Sequence, residues 1–146
     1  MDKQSVKAFL ERQIEINQKK YERLSSIMCS RNLLKVDARQ TEIEKCRSLE
    51  MKLYHLQVLS IMLGLEKKNN FNGYKKNQLK EMKWSALEFI QSEIMDCQDE
   101  LIELEGIIRE EFWETEEEKQ RTLDDKRKKK EELKHWKYLK EFLNNF

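Results

Sequence analysis

The sequence contains no proline and only three glycines in 146 residues. Average usage would supply about 7 prolines and about 10 glycines. A β-sandwich, a barrel or an α/β fold needs frequent Gly and Pro punctuation, so the scarcity argues against all three. Long apolar runs are also missing. The longest nearly uncharged apolar stretch, residues 56–65, falls far short of the roughly 20 residues that span a bilayer. The start, Met1-Asp2-Lys3-Gln4-Ser5, lacks the apolar run of a signal peptide. Cysteine is sparse and odd in number: Cys29, Cys46 and Cys97 lie far apart and form no C-x-x-C pair. They read as free thiols in a reducing compartment, which places the chain in the cytoplasm, with the nucleus as the second choice.

Charge and aromatic side chains, in contrast, are plentiful. Charged residues make up 39 % of the chain, with Lys+Arg 29 against Asp+Glu 28 and a net charge of +1. Three Trp, four Tyr and six Phe argue against disorder, since disordered chains are poor in aromatics. The remaining class is an all-α protein built from long helices, with coiled-coil packing as the expectation.

One turn stands out, at Asn69-Asn70-Phe71-Asn72-Gly73, where Asn and Gly suit the left-handed position that ends a helix. Lys67 and Lys68 precede it, where cations complement the negative end of a helix dipole. It divides the chain into arm 1 (3–68), a turn (69–74) and arm 2 (75–146). Each arm would be about 100 Å long as one continuous helix. The expectation is a single elongated domain, 1–146, folded as a long antiparallel helical hairpin or coiled coil.

In arm 2, Leu87, Ile90, Ile94, Cys97, Leu101, Leu104 and Ile108 alternate by three and four residues, the a/d seam of a coiled coil. The same register lands on Trp136, Leu139, Leu143 and Phe146. Between them it meets Glu111, Thr115, Glu118, Thr122, Asp125, Lys129 and Glu132, so 111–132 is expected to be helical but weakly zipped. In arm 1, Leu10, Ile14, Tyr21, Leu24 and Met28 form one stripe, with Asn17 in a seam position. Leu49, Leu53, Leu56 and Leu63 form another, with a kink or phase shift expected near Arg31-Asn32. From Tyr54 to Leu65 the pattern is apolar nearly all round, which calls for more than one neighbour. Gly64 within it suggests a close helix crossing.

Folding about residue 71 sets 49–65 against the apolar 77–93. It sets Leu10, Ile14, Tyr21, Leu24 and Met28 against the polar 114–132. That stripe then needs either arms bent back into a shorter four-helix bundle or a second chain. The second is favoured, as a dimer or a hetero-complex. The tail stripe Trp136, Leu139 and Leu143 is expected to pack near Val6, Phe9 and Leu10, with a partner groove or membrane surface as the alternative. Together these eight residues, Leu10, Ile14, Tyr21, Leu24, Met28, Trp136, Leu139 and Leu143, are the candidate apolar partner-binding set.

The near-neutral total hides a polarised arm 2. Residues 96–118 hold eleven acids and one base, and residues 119–140 hold ten bases and four acids. Lys126, Arg127, Lys128, Lys129 and Lys130 form a candidate polyanion-binding segment for an acidic filament, an anionic membrane or an acidic partner. Antiparallel pairing of the acidic and basic blocks between two chains would use the same polarity. Nucleic acid is not favoured, as the chain is not basic overall and holds no reading motif.

No catalytic, cofactor-binding or metal site is expected. Glu132-Leu133-Lys134-His135 has the Glu-x-x-His spacing of di-iron bundles, but those need two such motifs and two further inward Glu residues. The other histidine, His55, has Lys52 three residues before it. No phosphate-cradling glycine loop exists. The expected function is therefore a non-catalytic coiled-coil scaffold or adaptor in a cytoskeletal, centrosomal or vesicle-tethering assembly. The alternative is a polyanion-binding helical module acting through 126–140.

Overall fold

The computed structural model describes residues 2–29, 36–64 and 76–146. They form four helices: α1 (Lys3–Cys29), α2 (Val36–Gly64), α3 (Lys76–Glu110) and α4 (Glu116–Asn144). Among the described residues there is no strand. The described residues divide into two compact units, one holding α1 and α2 and the other α3 and α4.

In the first unit α1 packs on α2. Asp2 starts α1 as its N-cap, its Oδ1 accepting from the Ser5 N–H at 2.8 Å. Val6, Phe9, Leu10 and Asn17 are buried on one face of α1. Cys46, Leu53, Leu56, Leu59 and Leu63 are buried along α2. Two contacts set the direction: the Tyr21 hydroxyl donates to Glu50 Oε1 at 2.8 Å, and the Cys46 thiol meets Met28 Sδ at 3.3 Å. Rising numbers on α1 meet falling numbers on α2, so the pair is antiparallel. Asn17 is the one buried polar side chain among the described residues, and its Nδ2 donates to the Gln13 carbonyl at 2.7 Å.

In the second unit α3 packs on α4. Ile90, Ile94, Cys97 and Leu101 are buried, as the heptad spacing requires, with Ala86 and Leu79 continuing the face. From α4 come Trp136, Leu139 and Leu143, all fully buried. Phe89 meets Trp136 edge-on at 5.8 Å, Lys140 donates to Gln91 Oε1 at 2.9 Å and Lys129 pairs with Glu100 at 2.7 Å. These contacts again run antiparallel.

Three expectations need correction. Residues 111–132 are not one helical stretch, because α3 ends at Glu110 and α4 begins at Glu116. The break needs neither Pro nor Gly. Glu111 takes the left-handed conformation with φ 54. Its N–H donates to Ile108 O at 3.3 Å and the Phe112 N–H to Ile107 O at 3.1 Å. That is the Schellman pattern, with Glu where Gly is usual. Thr115 then caps α4, accepting from the Glu118 N–H at 3.1 Å, while Glu118 Oε2 accepts from the Glu114 N–H at 2.9 Å. Three acids in the first turn complement the helix dipole.

Arm 1 is likewise two helices, ending at Cys29 and resuming at Val36. The kink expected at Arg31-Asn32 and the turn expected at 69–74 lie outside the described residues. At Gly64 no close crossing is found among the described residues: a Cβ built there meets none of them within 4 Å.

Candidate interaction surfaces

The candidate partner-binding residues fall into two groups. Leu10, Trp136, Leu139 and Leu143 are fully buried, and Trp136 meets Phe89 of α3 edge-on. Ile14, Tyr21, Leu24 and Met28 are half-buried along the α1–α2 seam. Tyr21 is tied to Glu50, whose carboxylate raises its phenol above the usual range.

The basic segment is divided in the same way. Lys129 is held between α3 and α4 with 23 % of its side chain exposed, pairing with Glu100 at 2.7 Å and Glu132 at 2.9 Å. Desolvation pushes its ammonium down, but hydrogen bonds to Glu100 and Glu132 outweigh that and hold it well above the usual lysine range. Arg127 pairs with Asp124 at 3.5 Å. Lys128 and Lys130 are exposed and Lys126 half-exposed. Opposite polarity along arm 2 is therefore used within the chain: the antiparallel register brings the acidic end of α3 beside the basic middle of α4.

Around Lys129 lies a small polar cluster. Glu132 Oε1 accepts from the Trp136 indole N–H at 3.4 Å. Burial, reinforced by the Glu132 charge, pushes the Cys97 thiol up to about 12. Such a thiol stays protonated at neutral pH and is a poor nucleophile. Cys46 is shifted up by burial as well. The Glu132 and His135 pair shares no site, because Glu132 faces Lys129 while His135 Nδ1 meets the Glu131 carbonyl at 2.6 Å. Among the described residues no group of His, Cys, Asp and Glu could hold a metal ion. Among them, too, no helix is long and apolar enough to cross a membrane.

Three surface features escaped the heptad count. Trp84, Met95 and Ile102 are 65 %, 55 % and 66 % exposed. Intervals of eleven and seven residues return to within about 20° on a helix, so the three form one row, well away from the buried face of α3. Their spacing is visible in the sequence once the a/d seam is removed. The second feature is the turn at 111–115, which presents Phe112 at 74 % exposure. Trp113 beside it lies under the Lys119 ammonium, 5.7 Å from the ring centroid. Thr115-Glu116-Glu117-Glu118 carries a capping-box pattern that would have located this turn. The third is an apolar groove between α1 and α2, floored by Leu24, Ile27 and Leu49 and rimmed by Lys20, Arg23 and Lys45.

No family model, curated protein or solved structure matches the chain.

Proposed function

We propose that this protein is a non-catalytic helical scaffold or adaptor that binds other proteins through the outer face of α3. The observation that carries the reading is the exposed row of Trp84, Met95 and Ile102. Aromatic and Met side chains are enriched at protein interfaces, and apolar rows of this kind suit a partner helix laid along them. The row differs from the apolar stripes of the heptad pattern, of which Leu10, Trp136, Leu139 and Leu143 are fully buried. Coiled-coil packing, self-association and an intracellular assembly as the setting belong to the same proposal.

The test is cross-linking of the full chain in cells that express it, compared with the Trp84→Ser, Ile102→Ser double variant. Both positions are exposed, so the variant keeps its helicity. The proposal expects at least one protein cross-linked through α3 and lost in the variant. Identical cross-links in both would refute it.

A second reading keeps the polyanion site, supported by the exposed Lys128 and Lys130. Lys128→Glu with Lys130→Glu is the suitable probe, since Lys129 is engaged in holding α3 to α4. A polyanion binder, whether of an acidic filament or an anionic membrane, loses salt-sensitive affinity in that variant, and a scaffold keeps its partner.

A further inference from the structure

We propose that the turn at 111–115 of one copy docks in the α1–α2 groove of a second copy, so that chains associate head to tail. The turn is a projecting apolar side chain in an acidic setting. Phe112 is 74 % exposed, the most exposed large apolar side chain among the described residues. Exposed around it are Glu110, Glu111, Glu114, Glu116 and Glu117. The left-handed Glu111 holds this projection in a strained conformation, and strain of this kind gathers at functional positions.

The groove is complementary in charge and has room for an apolar side chain. Its volume is about 490 Å³, more than one aromatic ring requires. Leu24, Ile27 and Leu49 give an apolar floor, and Ile27 is 47 % exposed. Lys20, Arg23 and Lys45 stand on the rim. Lys45 is paired with Glu42 at 3.2 Å, whereas neither Lys20 nor Arg23 is in an ion pair among the described residues. Two exposed cations beside an apolar floor fit an aromatic side chain ringed by carboxylates. Because the two surfaces differ, the contact is heterologous and propagates from chain to chain. It is small, so it is a weak, transient contact with a strong salt dependence. It uses none of the α3 row, so it stands or falls apart from the scaffold reading.

The experiment is the solution mass of the full chain by sedimentation equilibrium at high protein concentration. At low salt the mass should climb above the 17.9 kDa of one chain as concentration rises, and return to one chain in molar salt. Phe112→Ser should abolish association, and so should Lys20→Glu with Arg23→Glu. All three sites are exposed, and circular dichroism confirms that the helices remain. Mixing the two variants is decisive. One supplies an intact groove and the other an intact turn, so the mixture should form two-chain particles and nothing larger. A single-chain mass at every concentration overturns the proposal, as does association that survives both variants or a mixture that fails to recover pairs. Binding of phosphatidylserine vesicles through Arg23, with no mass above one chain, also overturns it and makes the groove a lipid site.

Discussion

Replacing Glu111 by glycine should stabilise the α3–α4 unit. An L-residue in the left-handed conformation costs about 1–2 kcal/mol, and Glu111 sits there with φ 54. Glycine removes that cost but makes the unfolded chain freer, which takes back about 0.5–1 kcal/mol. Glu111 also sets a negative charge beside the last carbonyls of α3, and its loss returns a few tenths of a kcal/mol. The balance is a gain of about 1 kcal/mol, or roughly 4–8 °C in melting temperature for a unit of this size. The assay is built into the sequence. Trp84, Trp113 and Trp136 all belong to the α3–α4 unit, so a fluorescence melt follows that unit alone. Glu111→Ala is the control, as it removes the charge but keeps the strained backbone, and it should gain only the few tenths. Equal melting temperatures for the Gly and Ala variants, or a lower one for Gly, would refute the reasoning.

Three further outcomes follow from the same unit. Gly106 lies inside α3 and a Cβ there meets nothing within 4 Å, so Gly106→Ala should add about 0.5–1 kcal/mol in the same melt. Cys97, with its thiol pushed up to about 12, should resist iodoacetamide at neutral pH in a Cys29→Ser, Cys46→Ser background, and react only once denaturant opens the pair; rapid labelling of the folded protein would contradict its burial. Lys129→Met should cost about 1–3 kcal/mol by leaving Glu100 and Glu132 without their shared cation. Because the folded pKa of Lys129 is raised, its contribution is fully present below the usual value of 10.5 and is lost as pH rises through the folded value. Urea titrations should therefore show a constant gap between wild type and variant around neutrality that closes only at strongly alkaline pH.

The all-α class was legible in the scarcity of proline and glycine, and the buried face of α3 in its periodicity. Ile90, Ile94, Cys97 and Leu101 repeat by three and four, and all four are buried. The break at 111–115 was not legible from glycine and proline, since it places a glutamate in the left-handed conformation and draws its definition from Thr115 and Glu118. Periodicity marks Leu10, Trp136, Leu139 and Leu143 as apolar seam positions but cannot name the helix that covers them; the contact of Trp136 with Phe89 depends on the chain reversing at 111–115. The charge blocks were visible, but their use was not: it depends on the register that sets Lys129 against Glu100, which no count along one helix reveals.

The two antiparallel pairs also bear on how the chain is made. Each helix meets a neighbour that lies next to it in sequence, so the contacts close short stretches of chain and the topology favours fast folding. Synthesis proceeds from the N-terminus, at about 5–20 residues per second. The α1–α2 pair can therefore bury Leu10, Leu56 and Leu63 while α4 is still being translated. A nascent chain of this design exposes one apolar stripe at a time, which limits what chaperones must shield.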